Sequence, residues 1–308
     1  MSLLASIALH NHLKSLDLTN LRQSQGSIGC PNCNAWVSAS IENCPECGYW
    51  QPGVWGFHRL VKSLDSNDFG NFFAITCGIL LALCLIADPS GINLRPSFSF
   101  LSPSTRSVLL MGACGSYPVF DLGHWWTVFS CPFLHGGLFH IGFNLIWIYY
   151  LAPVLIDAYG FFRSFLIFML SAVFAGLLSA WAGIYFLGGF LQGAYISIGA
   201  SGGVFALFGA MIYYGQTSGR KPILQFAIQN TIISLIGAIF IARVDNWAHI
   251  GGLAFGYLLP YLPWFNWKNK PTNIHLLVAL LAFFAMILSV ILSYNTTMTA
   301  IEDYGKYS

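Results

Sequence analysis

Residues 164–219 contain no Asp, Glu, Lys or Arg, and the stretch is far longer than one helix needs to cross a hydrocarbon core of about 30 Å. The chain must fold back within it. Gly188, Gly189 and Gly193 mark the turn and divide the stretch into spans near 165–187 and 196–214. The same pattern of apolar runs between polar clusters predicts further spans near 72–87, 138–156, 223–241, 247–265 and 274–292. Helices are expected throughout, because a backbone in lipid must satisfy its own hydrogen bonds and these runs lack the alternation of barrel strands.

Composition supports this reading. Of 308 residues, 56% are hydrophobic and only 8% charged, too few charges to cover a water-facing surface. Thirteen Lys plus Arg against eleven Asp plus Glu give a net charge of +2, too weak and scattered for binding nucleic acid. With the N-terminus in the cytoplasm, that side collects Lys14, Arg22, Arg59, Lys62, Arg163, Arg220, Lys221, Lys268 and Lys270, leaving Arg95, Arg106, Arg243 and Lys306 outside. The expected protein is therefore a multi-pass integral protein, of the cell membrane, with its C-terminus outside. The apolar stretch within residues 1–22 has no basic residue before it and does not read as a cleaved signal peptide. Residues 88–138, rich in Pro and Gly and carrying Trp125 and Trp126, are expected to form an interfacial loop structure.

Cys30-Pro-Asn-Cys33 and Cys44-Pro-Glu-Cys47-Gly48 form two C-x2-C knuckles separated by ten residues, a spacing that presents four thiolates to one tetrahedral ion. A segment this short has little core of its own, so a structural zinc is the expected staple, with iron in a four-thiolate site as the chemical alternative. Reduced thiolates fit the cytosol and agree with the charge-based orientation. Cys77 and Cys84 read as small buried hydrophobes, while the pairing of Cys114 and Cys131 stays open.

Polar residues inside apolar spans are costly and point to chemistry. His140 and Asn144 are four apart, on one face of a helix, with His135 just before them. Ser201 opens the fourth span among Gly199, Gly202 and Gly203, where a hydroxyl and backbone N–H groups can face one reacting oxygen. In the sixth span His249, Gly252 and Gly256 recur at three- and four-residue steps, matched by a small-residue stripe at Gly202, Ala206 and Ala210. Such faces let two helices approach closely enough for a direct Ser–His hydrogen bond. In the N-in topology Ser201 and His249 fall at the outer ends of their spans, at equal depth. Taken singly, these residues also suit interhelical hydrogen bonds, an N-cap or packing.

Together, G-A-S-G around Ser201, H-x4-H-x3-N at His135, His140 and Asn144, and A-H-x2-G-x3-G at Ala248, His249, Gly252 and Gly256 resemble the rhomboid family of intramembrane serine proteases. The resemblance implies a rhomboid-like bundle of six helices plus a seventh, all-α and polytopic, with Ser201 as nucleophile and His249 as its general base. It also implies oxyanion stabilisation by His140, Asn144 and the Ser201 N–H, with Phe205 beneath the histidine ring and Gly199, Gly252 and Gly256 in support. The family often has Trp-Arg in the loop where this chain has Trp125-Trp126. Its substrates would be transmembrane segments of membrane proteins, locally unwound by helix-destabilising residues. Asp245, one turn before His249 and beside Arg243, reads as a solvated ion pair outside the dyad.

The expected organisation is a tail over 1–28, a zinc-ribbon-like module over 29–50, a juxtamembrane linker over 51–70, a protease core over 71–266, and the seventh helix with a short tail over 267–308. The module reads as a cytosolic docking or regulatory unit. Two alternatives accompany this reading: a proteolytically inactive relative that binds or escorts membrane proteins, and a transporter or proton relay, for which no intramembrane acid is available.

Overall fold

A computed structural model describes residues 22–97, 99–186, 188, 192–239 and 244–305. The expected tail before Arg22, part of the glycine turn and Arg243 lie outside the described residues. The chain divides into two compact units, one formed by residues up to Leu64 with Thr272–Ile274, and the other by Asp65–Pro271 with His275 onward.

The smaller unit holds an antiparallel pair, β1 (Ser27–Gly29) and β2 (Trp36–Ser38), with Ile28 opposite Val37. Its core is small: Ile28, Val37 and Ala39 close around Cys30 and Cys44. A short helix, α1 (His58–Ser63), follows.

The larger unit is helical. Its first long helix, α2 (Ser66–Ala87), starts one and a half turns before the expected span because Asp65 and Asp68 form a reciprocal capping box. A short helix, α3 (Thr105–Leu110), and tight turns at Trp125–Val128 and Cys131–Phe133 structure the long loop. Then come α4 (Leu138–Tyr159) and α5 (Phe161–Tyr185), joined by Gly160 alone, whose positive φ of 77° permits the reversal. The remaining helices are α6 (Ser201–Ser218), α7 (Lys221–Ile239), α8 (Asn246–Leu258) and α9 (Asn273–Gly305).

Four of these, α2, α4, α5 and α9, are long and apolar enough to cross a membrane by length and composition. One expected span is displaced and another is shorter than the hydropathy suggests. Residues 196–200 are not helical: Ser197 pairs with Cys114 as an isolated antiparallel bridge, and Gly199 at φ 130° turns the chain into α6. The span near 247–265 is helical only to Leu258, and a 3-10 turn through Pro260 ends it.

The most enclosed of the four membrane-length helices is α5. Phe168 on it packs against Phe73 of α2, with ring centroids 4.4 Å apart and planes tilted by 59°, and Phe133 of the loop joins the same cluster. Exposed Ile75, Ile79 and Ile86 of α2 and Phe143 and Ile146 of α4 form outward apolar faces suited to lipid.

Candidate active site

The site forms where α6 crosses α8. A Cβ on Gly252 would collide with the Gly202 carbonyl oxygen, and one on Gly256 with the Ala206 backbone. Only hydrogen at both positions allows the two backbones to touch, as the small-residue stripes predict. That contact sets His249, one turn before Gly252, against α6. Its ring lies over Phe205, with centroids 4.2 Å apart and planes 19° from parallel, and Ser201 is one turn above Phe205 on the same helix.

His249 is buried, and among the described residues its Nδ1 has no hydrogen-bond partner. Among the described residues no Ser201–His249 hydrogen bond is formed, so the expected direct contact is not closed here. The seam brings the two helices close at these positions.

His140 and Ser201 meet around Gly199. A Cβ there would lie 2.8 Å from His140 Nε2 and 3.9 Å from Ser201 Oγ, so both groups line the same space above the glycine. The His140 tautomer follows from its other nitrogen. Nδ1 accepts the Gly136 N–H at 3.2 Å, so a neutral ring carries its proton on Nε2, as a donor toward that space. Asn144, buried one turn along α4, gives one amide proton to the His140 carbonyl at 2.9 Å and retains the other. At the start of α6 the first-turn N–H groups, Ser201 included, have no intrahelical acceptor, and among the described residues no side chain caps them. His135 is buried edge-on to His140, with centroids 5.1 Å apart.

Asp245 does something the sequence reading did not anticipate. Rather than standing in a solvated loop, its carboxylate caps α8 by accepting the Ala248 N–H at 3.0 Å, and it accepts hydroxyls from Ser179 of α5 and Ser197, each at 2.5 Å. It thereby ties the helix of His249 to the strand leading into Ser201. The Asp-x-x-Ala spacing carried the capping signal; the two serines, 66 and 48 residues away, carried none. Cys114 and Cys131 are free, buried thiols beside this lead-in: Ser197 exchanges both backbone hydrogen bonds with Cys114, and the Cys131 carbonyl accepts the Gly199 N–H at 3.0 Å.

In the smaller unit, the four cysteine sulfurs lie within 4.8 Å of one another, with Cys30–Cys47 at 3.7 Å and Cys33–Cys44 at 3.6 Å. Tetrahedral coordination with bonds of about 2.3 Å separates sulfurs by about 3.8 Å, so the cluster has metal-binding dimensions. The two knuckles share one turn: Asn34 N–H returns to the Cys30 carbonyl and Gly48 N–H to that of Cys44, with φ of 61° and 69°. The Asn32 side chain and the Tyr49 backbone pull the Cys47 thiol down to about 6, toward the thiolate that a metal requires. At Cys33 the Ala35 backbone N–H pulls the same way, but lost hydration and the neighbouring sulfurs outweigh it and push the thiol up to about 12.

A helical membrane protein with a serine and a histidine on a glycine-closed seam is the architecture of a rhomboid. Residues 122–267 match the Rhomboid domain family, and the chain carries a rhomboid domain that holds every predicted site residue outside the cysteine cluster. RHOMBOID-like protein 1 of Arabidopsis thaliana is 34% identical over 183 residues, covering 56% of this chain and 44% of that protein. RHOMBOID-like protein 6, mitochondrial, of the same plant is 32% identical over 169 residues, 53% of this chain and 52% of its own. Rhomboid protease GluP of Bacillus subtilis is 29% identical over 160 residues, covering 51% of this chain and 29% of GluP. The chain spans about half the length, or less, of these relatives.

Proposed function

We propose that the protein is an intramembrane serine endopeptidase that cleaves transmembrane segments of membrane proteins. The observation that carries this reading is the stacking of His249 on Phe205, one turn below Ser201, across a seam that admits no side chain. Ser201 Oγ attacks the scissile carbonyl while neutral His249 takes its proton through Nε2 and later passes it to the leaving amine. Water then releases the acyl-enzyme. His140 Nε2–H, the remaining Asn144 amide proton and the Ser201 N–H supply donors for the tetrahedral oxyanion. Among the described residues the Nδ1 of His249 has no partner, which favours a dyad, with Asp245 acting on helix position instead of on the imidazole. An extended substrate stretch is needed because a helix hides its carbonyls in its own hydrogen bonds.

The N-terminus is assigned to the cytoplasm and the C-terminus to the outside from the distribution of Lys and Arg, and the protein is placed in the cell membrane. The cysteine cluster holds a structural zinc within a cytosolic docking or regulatory module, supported by sulfur spacings that fit a tetrahedral ion. Zinc there would contribute folding free energy, while the chain's own turns at Asn34 and Gly48 aim the sulfurs.

A second reading, an inactive relative that binds membrane proteins, is favoured by the unformed Ser201–His249 hydrogen bond and is separated by one experiment. Fluorophosphonate should label the wild type at Ser201. His140→Ala should slow cleavage by about 10²-fold, the cost of losing one oxyanion donor. A folded wild type that resists the reagent and cleaves no transmembrane substrate would favour the binding reading.

A further inference from the structure

In α9 two hydroxyls stand on one face of a strongly apolar helix. Ser289 and Ser293 are four residues apart, so they project from the same side, and both are buried, at 1% and 0% exposure. Their partners lie in the loop before α4. Trp126 donates its indole N–H to Ser293 Oγ at 3.1 Å, and Ser289 Oγ lies 2.7 Å from the Trp126 carbonyl and 2.8 Å from Ser130 Oγ. Ser130 in turn reaches the Gly112 carbonyl at 2.7 Å. The hydroxyls of Ser130 and Ser289 share their protons between these two carbonyls and each other.

Gly112 shows how little room the ladder leaves. At φ 92° it adopts a conformation disfavoured for side chains, and a Cβ there would collide with Ser130 Oγ and lie 3.0 Å from Ser293 Oγ.

The anchored segment leads directly into the site. Cys131 follows Ser130, and its carbonyl holds the Gly199 N–H two residues before Ser201. We propose that α9 is a positioning element of the protease site. Ser289 and Ser293 fix residues 126–130, and through the Cys131 carbonyl they fix the Gly199 turn that presents Ser201. Trp126 is the recognition residue for the helix, using its side chain toward Ser293 and its carbonyl toward Ser289. The proposal rests on Ser201 being the nucleophile, but the mechanical link from α9 to Gly199 can be read without catalysis.

The test uses the full chain in liposomes. In the Ser289→Ala/Ser293→Ala double variant, kcat on a model transmembrane substrate and the fluorophosphonate labelling rate should both fall about tenfold with KM little changed, the pattern of a misplaced reacting group. Ser289→Thr/Ser293→Thr, which keeps both hydroxyls, should restore most of the loss. Amide exchange at Gly199 should speed up about tenfold in the alanine variant, because loosening the Cys131 carbonyl exposes that N–H. If the double variant does not fold, Trp126→Phe, which removes the indole donor and keeps an aromatic ring and the backbone carbonyl, decides in the same direction. Unchanged Gly199 exchange in a folded variant overturns the proposal. Faster exchange in a protein whose wild type is inert would support the link and refute the protease reading alone.

Discussion

The α6–α8 seam and the α9–loop seam solve one problem in opposite ways. Lipid offers helices no hydrophobic reason to associate, so contacts must come from close packing or from hydrogen bonds. Between α6 and α8 side chains are removed altogether, and glycine on carbonyl sets how near the two backbones come. Between α9 and the loop, side chains do the joining, and three hydroxyl and indole contacts set register and rotation. A packing seam fixes distance and fails abruptly when filled; a hydrogen-bonded seam fixes orientation and loosens in steps.

The sharpest way to break this contrast is Gly252→Val. A branched side chain at the Gly202 carbonyl forces the helices apart, so fluorophosphonate labelling should vanish, whereas overpacking of this kind typically costs about 1–3 kcal/mol of stability. Labelling retained at the wild-type rate would show that the seam does not set the site. Next in size is Asp245→Ala, which removes the α8 cap and strands the hydroxyls of Ser179 and Ser197. Loss of the cap alone should lower unfolding free energy by about 1 kcal/mol, with slower cleavage, measured by denaturation in detergent and by initial rates. Asp245→Asn should recover part of both. Ser293→Ala alone should slow cleavage by only a few-fold, about what one modest membrane hydrogen bond is worth, and a total loss there would mean that α9 is not a graded support.

The smallest effect belongs to the cysteine unit. Removal of metal by a chelator, or acidification that protonates the sulfurs, should unfold β1 and β2 and release the ion, while cleavage by the rhomboid domain stays measurable. Metal analysis and activity on one sample check both halves. Loss of cleavage together with the metal would make the unit part of the enzyme.

Reading the sequence reached the α6–α8 seam because its signal is local: Gly252 and Gly256 on one helix and Gly202 and Ala206 on the other repeat at helical spacing. The knuckles were legible for the same reason, with Cys30, Cys33, Cys44 and Cys47 within 18 residues. The α9 seam was not. Ser289 and Ser293 look like ordinary packing serines until Ser130 and Trp126, 159 and 167 residues earlier, come beside them. Hydropathy also started one span too early and ended another too late. It cannot see that Ser197 bridges to Cys114 before α6, or that Pro260 ends α8 early, since both stretches are as apolar as a helix.

The most direct test is cleavage of a reconstituted transmembrane substrate by wild type, Ser201→Ala and His249→Ala at equal folded concentration. Cleavage by the wild type and none by either variant is the predicted result. Cleavage persisting in both variants would contradict a Ser201–His249 dyad.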